Sequence, residues 1–483
     1  MSEPKKTESF AGNVMKYSIA TYLGFGISGA ALIIKGVLPA ESYAVPASFM
    51  AYTMSLMNVG MLGLDQSLLR FYHEPPAGST GRSMFAACTR LSVLVMLLVG
   101  GIGSIFFAKP LAAAFGLGAN GAGLVPFLFL NAALYMLVRY LNVLLRLENN
   151  VRAYTTETLW MQACLNLIYL LPGFVTQDAR AFVLGAVCSF AGVAVFYWRR
   201  ASKGQTKEAL VRGLRPYAHI YRAALPYGIV LAPAAILIPL YRAICLSFLG
   251  NYAPAAEQGS FDFAYTLAQL VTTIQAGFST YWGPYVYAHY RTEQERIGRI
   301  HDLLNLLICL LVMFEDIIFI IFPAKSACLP YFPLMMLAVV FSILCEGTVY
   351  GNTIARKPFQ DTIGTAVGVA ANIAVCAVLV PRFGVMGAAV GLVAANATMF
   401  LYRTVTGQYY YRTIPSFSRT ICGFLLAVGV AVIGVVFAHN FIIKFVLTAA
   451  ILFIYCNIYR AQLYKLWQIF MGFVRRYLLH SQA

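Results

Sequence analysis

A cation lies deep inside an apolar run near the middle of the sequence. The run extends from Ala223 to Leu249, and its one charged residue is Arg242, which follows Pro226, Pro233 and Pro239. A charge at membrane depth costs about 3 kcal/mol or more, so it usually faces a wet cavity or a charged partner. Each proline removes a helical hydrogen bond, so we expect a broken or kinked helix. The pattern is typical of the moving wall of a transport pathway.

Acidic residues also lie within the apolar runs. A buried carboxylate can carry a proton or Na⁺, because the loss of hydration penalises its charged form. Glu315 and Asp316 are adjacent in the sequence, so their side chains are about 100° apart on a helix and cannot act as a facing catalytic pair. Asp65 and Glu346 are our candidates for ion coupling, with Asp262 as a third. Hydrogen bonding within the helix bundle is the alternative for most of the set, which comprises Asp65, Glu157, Asp262, Glu315, Asp316 and Glu346.

Metal or disulfide chemistry is not indicated. The ten cysteines are scattered singly and nine of them fall within apolar runs, as buried small side chains do. The six histidines have no metal-ligand spacing. We therefore expect no cofactor, apart from a coupling ion that is either Na⁺ or H⁺.

The composition sets the class of protein that must position these residues. Hydrophobic residues make up 60% of the 483 and charged residues only 11%, which excludes a soluble domain. The net charge of +17 does not indicate nucleic acid, because basic residues concentrate in alternate loops. The sequence predicts an all-α membrane protein that crosses the bilayer many times.

About 14 transmembrane helices are predicted. If the N-terminus is cytoplasmic, 28 basic residues lie on the cytoplasmic side and Arg242, within a span, is counted on neither side. The six on the outer side are Lys35, Lys109, Arg180, Lys325, Arg382 and Lys444. This imbalance predicts a protein of the plasma (inner) membrane with both termini in the cytoplasm. The predicted spans are Val14–Val37, Tyr43–Leu69, Met84–Phe107, Leu124–Leu145, Ala153–Val175, Ala181–Trp198, Ala223–Leu249, Phe261–Tyr287, Leu303–Phe322, Pro330–Ile354, Thr362–Val380, Val385–Tyr402, Ile421–Ala438 and Phe441–Ile458.

A repeat of six spans is suggested by the ends of the second and eighth spans. Both exits are aromatic, basic and contain a histidine, at Arg70–His73 and at His289–Arg291. Parallel repeats of this kind give two pseudo-symmetric lobes. We predict a six-helix N-lobe with a basic linker at 1–212, a six-helix C-lobe at 213–411, and a terminal helix pair with a basic amphipathic tail at 412–483.

Short motifs resemble those of a known transporter group. The segment Gly63–Tyr72 looks like the second-helix exit of bacterial polysaccharide flippases of the lipid-linked oligosaccharide or O-antigen type. Leu225-Pro226, Tyr241-Arg242 and Leu249-Gly250 add to this resemblance. These flippases belong with the lipid II flippase and the multidrug and toxin extrusion exporters in the multidrug/oligosaccharidyl-lipid/polysaccharide exporter superfamily.

The resemblance implies a two-lobed bundle whose central cavity passes an oligosaccharide on a polyprenyl diphosphate to the outer leaflet. The anionic diphosphate needs cations. The best placed are Lys16, Arg70 and Arg242, and candidates for contact with the sugars are Tyr52, Tyr241, Tyr265 and Trp282. Anchoring at the inner leaflet is the alternative for the first two cations. A structural pair with Glu257 or Asp262 is the alternative for Arg242.

Two other functions stay open at this point. A multidrug or cation antiporter of the same superfamily would need an acidic cavity, and the first and seventh spans contain no carboxylate. A membrane glycan polymerase or ligase would need a sizeable external loop, and the external loops predicted here are short. We therefore expect a transporter rather than an enzyme. Its partners would be the lipid-linked glycan, membrane lipids, and a polymerase or glycosyltransferases of the same pathway, with no nucleic acid.

Overall fold

A computed structural model of the chain describes residues 10–118, 121–148, 150–201, 217–289, 306–348, 350–355, 357, 359–412, 417–458, 460 and 463–464. These residues form helices joined by short turns, and this part of the chain contains no strand. The prediction of an all-α protein is confirmed. In chain order the α-helices are α1 Phe10–Val37, α2 Ala44–Met61, α3 Leu64–Phe71, α4 Gly81–Phe106, α5 Ala108–Ala114, α6 Val125–Leu147, α7 Val151–Ala163, α8 Leu170–Thr176, α9 Ala179–Ala201, α10 Ala218–Tyr252, α11 Ala255–His289, α12 Leu306–Ile321, α13 Phe332–Thr348, α14 Tyr350–Ile354, α15 Phe359–Tyr410, α16 Phe417–Val436 and α17 Phe441–Ile458.

The helices are apolar enough for a membrane protein. Within the described residues, eight are long and apolar enough to cross a bilayer, and a ninth span results if the bent pair α2 and α3 is counted as one. A helix overlies each predicted span, although α2 and α3 divide one of them and α13 and α14 another. The chain is therefore a multi-pass membrane protein. The predicted total of 14 spans stays a prediction.

Two predicted spans form the two arms of α15. The helix is interrupted at Gly384, whose φ of 51° lies in the left-handed region, three residues after Pro381. A Cβ at Gly387 would lie 2.6 Å from the carbonyl oxygen of Leu379, and a Cβ at Gly391 would lie 2.4 Å from Sγ of Cys376. Small residues therefore allow these two arms to pack closely.

The chain forms two compact units. The first comprises Met1–Tyr281 and Asp361–Ala395, and there α10 packs against α2 and α3 while α6 packs against α9 and α2. The second comprises Trp282–Gln360 and Asn396–Ala483, and there α12 packs against α13, α16 and α17. The predicted lobes at 1–212, 213–411 and 412–483, and their pseudo-symmetry, stay a prediction. The predicted tail lies almost wholly outside the described residues.

Three of the six cations that the sequence assigns to the outer side are buried. Lys35, Lys325 and Lys444 are only 3%, 4% and 0% exposed, whereas Lys109 and Arg382 are exposed. Buried lysines need partners, because an unpaired ammonium in an apolar interior is costly. Lys35 and Lys444 lie within α1 and α17, whereas Lys325 lies in the turn Pro323–Cys328 between α12 and α13. The predicted orientation stays a prediction.

Candidate functional site

A cavity of about 340 Å³ lies within the first unit. It is bordered by α1, α2, α6, α10 and α11 and by a π-helical turn, Cys164–Ile168, between α7 and α8. We call it the cationic cavity. Its described lining residues are Ser28, Lys35, Met50, Met54, Tyr135, Gln162, Leu165, Asn166, Tyr169, Arg242, Thr266, Gln269, Leu270 and Thr272.

Lys35, Asp262 and Arg242 form an ion-paired group at this cavity, which we call the cationic triad. Nζ of Lys35 donates to Oδ2 of Asp262 at 2.7 Å, and Nη2 of Arg242 pairs with the other carboxylate oxygen, Oδ1. The side chain of Asp262 is fully buried, and each of its two oxygens is paired with one of these cations. The three residues come from α1, α11 and α10, and the triad therefore joins three helices.

The cationic triad carries more positive than negative charge. Two cations share one carboxylate, which leaves one excess positive charge when all three groups are ionised. Nε of Arg242 is buried and has no hydrogen-bond partner. No carboxylate is among the described residues that line the cavity. A low-dielectric pocket with an excess cation and an unused donor attracts an anion.

The helix that carries Arg242 is continuous in spite of its prolines. The sequence predicts a break or kink, but α10 is helical from Ala218 to Tyr252 through all three. Pro239 cannot donate to the carbonyl of Ala235, four residues earlier, and Nδ2 of Asn58 on α2 donates to that oxygen instead, at 3.0 Å. The expectation of a break was wrong, because a neighbouring side chain satisfies a freed carbonyl, and the kink stays a prediction.

The break lies instead between α2 and α3. Leu62 and Gly63 both have positive φ, 49° and 69°, and the two helices meet at an angle of 55°. A Cβ at Gly63 would lie 2.1 Å from the carbonyl oxygen of Gly228 on α10, so only glycine permits this close approach. The sequence predicts a break in the seventh span, whereas α10 is helical throughout and the break lies in the second span.

Asp262 is held in place by the turn that precedes it. Gln258, one turn earlier on α11, is buried and its Nε2 donates to Oγ of Ser48 at 2.6 Å. The same nitrogen reaches the carbonyl oxygens of Gly116 and Leu246, both at 3.2 Å. These bonds fix α11 against α2 and α10, so the carboxylate faces both cations.

Three predicted site residues come together at the triad. Arg242 pairs with Asp262, which the sequence analysis weighed as its structural alternative, and Arg242 also lines the cavity. The ring of Tyr265 lies 5.2 Å from the guanidinium carbon, within cation–π range. The alternative partner, Glu257, instead accepts a hydrogen bond from the backbone N–H of Val385 at 2.8 Å.

Two predicted aromatic residues do not line the described cavity. Tyr52 is buried against Phe115, with ring centroids 4.2 Å apart. Tyr241 is buried, and its hydroxyl donates to the carbonyl of Thr365 at 3.0 Å. Both side chains pack one helix against another, so a direct contact with a sugar is not available to them in this conformation.

The remaining predicted residues lie elsewhere. Arg70 is on the surface and pairs with Glu74 at 2.8 Å, and this hydrogen bond lowers the pKa of the Glu74 carboxyl. Asp65, in the first turn of α3, accepts a hydrogen bond from Gln66 at 2.8 Å and is not a lining residue. The side chains of Lys16, Trp282 and Glu346 lie outside the described residues.

Lys35 was missed as a site residue because the sequence places it at the outer end of the first span. Its position in the last turn of α1 is compatible with both a loop charge and a buried one. The neutral polar residues Gln162, at the end of α7, and Asn166, in the π-helical turn, were missed because a single amide in an apolar run carries no distinctive pattern. The sequence signal that could have pointed to Lys35 was Asp262 on another span, because a buried carboxylate requires a cation as its partner.

The fold is similar to that of a known flippase. No protein-family model matches the chain, and no curated protein sequence does. The lipid II flippase MurJ, in its inward closed conformation, superposes with a TM-score of 0.68 at 13% identity, over 92% of this chain and 99% of that one. An inward-facing multidrug resistance transporter of the MATE family and MOP superfamily gives 0.48 at 15% identity, over 81% and 94%. The chain therefore has the all-helical fold of MurJ, and the predicted resemblance is confirmed for the fold.

Proposed function

We propose that the chain is a flippase that moves a polyprenyl-diphosphate-linked oligosaccharide from the inner to the outer leaflet. The observation that carries this proposal is the excess positive charge of the cationic triad at a cavity inside a membrane-spanning unit. The MurJ-like fold supports it, since that neighbour is a lipid II flippase.

The diphosphate would compete with Asp262 for the two cations. A guanidinium presents a planar fork of donors that matches phosphate oxygens, and its unused Nε adds a further donor. Lys35 supplies a second cation beside it, an ammonium with three donors. Because Asp262 restores neutrality to one cation when cargo leaves, binding would be reversible, as transport requires.

The sugars would meet neutral polar groups of the same cavity. Gln162, Asn166 and Gln269 line it and offer amide donors and acceptors. Sugar hydroxyls are recognised by such groups without a net charge, so glycans of different sequence could pass. Lys16 and Trp282 stay proposed contacts from the sequence.

Transport would proceed by alternating access between the two leaflets. Asp65 and Glu346 stay proposed coupling residues for Na⁺ or H⁺. Asp262 is less suited to that role, because both of its oxygens are held by cations. Localisation in the inner membrane with cytoplasmic termini, and cooperation with a glycan polymerase or glycosyltransferases, belong to the same proposal.

The other two functions fit the site less well. A drug or cation antiporter needs negative charge in its cavity, and the excess charge of the triad is positive. A glycan polymerase or ligase needs reactive side chains around an acceptor site, and the groups at this cavity are paired ions and amides. Binding and release of an anionic headgroup is the chemistry that these groups support.

The test replaces Arg242 by Ala and by Lys in a strain whose surface glycan depends on this gene. Arg382→Ala is the matched control, since Arg382 is an exposed arginine that does not line the cavity. We expect the alanine variant to lose surface glycan and to accumulate lipid-linked units in the inner leaflet at normal protein level. Lysine should restore part of the activity, because it keeps the charge without the planar fork.

The readout is the leaflet distribution of lipid-linked units, measured with a membrane-impermeant oxidant of sugars. Unchanged surface glycan in both Arg242 variants, at normal expression, would remove Arg242 from the mechanism. Accumulation of units that are already in the outer leaflet but unpolymerised would instead indicate the polymerase alternative.

A further inference from the structure

A second buried ionic group lies in the second unit, between α12 and α17. Nζ of Lys444 donates to Oε1 of Glu315 at 2.7 Å, and the same nitrogen lies 2.5 Å from Oδ2 of Asp316. The first is a hydrogen bond, whereas the second is an ion-pair contact without hydrogen-bond geometry. We call these three residues the acidic cluster.

The acidic cluster is closed to solvent on most of its sides. Glu315 and Lys444 are fully buried, and the side chain of Asp316 is 15% exposed. Asp316 is therefore the one member of the cluster that reaches the protein surface.

The cluster has one negative charge in excess when its groups are ionised. Two carboxylates share one ammonium, and Oε2 of Glu315 is buried without a hydrogen-bond partner. Thr448, one turn after Lys444 on the same face of α17, is also buried, and its Oγ1 has no partner. An unneutralised carboxylate in an apolar interior takes up a proton instead of remaining charged.

No other described group neutralises this charge. The groups that act on the Glu315 carboxylate are Lys444, from α17, and its neighbour Asp316. The other ionisable residues on the elements packed against α12 are Lys325, Cys328, Cys345, Cys422, Tyr455 and Cys456, together with Glu346 and Arg419, whose side chains lie outside the described residues.

A metal ion fits the cluster poorly. Within the described part of the chain, no group of three or more His, Cys, Asp or Glu side chains is arranged to hold one. The lysine already occupies one oxygen of each carboxylate. Na⁺ requires several oxygen ligands at once, whereas a proton requires only one.

We propose that Glu315, Asp316 and Lys444 form a binding site for one exchangeable proton. The proton comes from water on the Asp316 side and forms an O–H bond on one carboxylate oxygen. This step converts an excess charge of minus one to zero and changes no oxidation state. The site lies where the terminal helix α17 packs on α12, so proton occupancy would bias this helix contact. It is independent of the cationic cavity and its cargo.

The test measures the carboxylic-acid carbonyl stretch of the purified protein by infrared difference spectroscopy over a pH series. The variants are Glu315→Gln, Asp316→Asn and Lys444→Met, and the control is Glu41→Gln, which removes an exposed carboxylate in the first unit. The measurements use a Glu157→Gln background, because Glu157 is another buried carboxyl, it has no ion-pair partner within the described part of the chain, and its Oε1 has no hydrogen-bond partner. In this background the otherwise unchanged cluster should show a buried protonated carboxyl that disappears as the pH rises. Either amide variant should lose this band completely, because the remaining carboxylate and Lys444 form a neutral pair.

The lysine variant separates a proton site from a purely structural ion pair. Without Lys444, two carboxylates lack a cation, so the band should strengthen and persist to higher pH. The isosteric amide variants keep the packing, and their monodispersity in detergent shows whether they fold. A band that is absent from the Glu157→Gln background, or that both amide variants retain, would overturn the proposal. A band lost in Glu41→Gln would do the same.

Discussion

The two buried ionic groups of this protein have opposite compositions. The cationic triad has two cations and one acid and lies at a cavity in the first unit, whereas the acidic cluster has two acids and one cation and is nearly closed. An excess positive charge on arginine or lysine persists at neutral pH and can attract an anion. An excess negative charge on carboxylates can be removed by one proton. Residues of the same kinds thus suit cargo binding in one unit and proton binding in the other.

The comparison also teaches how burial is tolerated. Each group has one residue of the less common charge, Asp262 in the triad and Lys444 in the acidic cluster, which we call the minority residue; the other two are the majority residues. The minority residue contacts both majority residues, so neither group contains an isolated ion. Removal of one partner from a buried pair is costly, because it leaves an uncompensated charge. The minority residues, Asp262 and Lys444, should therefore control stability, whereas the majority residues should control binding.

The largest expected effect is the loss of the minority charge. Asp262→Asn leaves two buried cations together and should destabilise the protein by about 3–5 kcal/mol. Lys444→Met leaves two carboxylates, which can take up protons, so its loss should be smaller and should shrink as the pH falls. Arg242 cannot lose its proton and Lys35 can do so only as the pH rises, so the loss in Asp262→Asn should not shrink at low pH. Thermal unfolding in detergent across a pH series measures both variants.

The matched control is Lys109→Met, since Lys109 is an exposed lysine outside both groups, and it should leave the unfolding midpoint unchanged. If Asp262→Asn is no less stable than this control at any pH, the triad is not the buried ionic group described here. Equal pH dependence of the Asp262 and Lys444 variants would contradict the difference between arginine and carboxylate excess.

The next effect is the loss of one majority charge. Lys35→Met leaves a neutral Arg242–Asp262 pair, and Glu315→Gln leaves a neutral Asp316–Lys444 pair. Each should change stability by no more than about 1.5 kcal/mol, because no ion loses its last partner. Only Lys35→Met should reduce surface glycan, since it removes the excess charge at the cavity. Reduced transport with Glu315→Gln would instead connect the acidic cluster to cargo movement.

Much of this arrangement could be predicted from the sequence, including Asp262 as an alternative partner of Arg242, but the contact of Asp262 with Lys35 could not. Hydropathy predicts the helices well, and the apolar run around Arg242 correctly indicates a charge facing a cavity and a partner. Lys35 looked like a loop charge, because local sequence does not distinguish the end of a helix from a buried last turn. The distance in sequence from Lys35 to Asp262 is 227 residues, and no local pattern records such a contact.

The predicted break in the seventh span was wrong for a related reason. Proline predicts a break, but the cost of three prolines in α10 depends on neighbours such as Asn58, which the local pattern does not reveal. The actual break, at Leu62 and Gly63, carries only one glycine as a signal. Tertiary packing therefore overrides the local preference in both places.

Another effect is expected in the first unit, where α3 crosses α10, the helix that carries Arg242. Gly63→Ala introduces a Cβ that would lie 2.1 Å from the carbonyl of Gly228, at a φ of 69°. Gly78→Ala is the control, since its φ is 77° but nothing lies within 4 Å of the new Cβ. The backbone strain costs about 1 kcal/mol in both, and the clash should add about 1–3 kcal/mol only at Gly63. Thermal unfolding measures the difference, and equal losses would mean that the crossing of α3 over α10 is not close.

The smallest effect is expected at the exposed pair of Arg70 and Glu74, which shares its residue types with both buried groups but not their surroundings. Because its hydrogen bond lowers the pKa of Glu74, any stabilisation is present above the ordinary pKa of a glutamate and is lost as the pH falls through the lowered value. Water screens a pair that is exposed at both ends, so Glu74→Gln should leave the unfolding midpoint unchanged at neutral and at acidic pH. A midpoint that falls in the variant at neutral pH, and not at acidic pH, would show that burial is not what separates the effective ion pairs from the ineffective one. In that case the contrast between the two buried groups would rest on their composition alone.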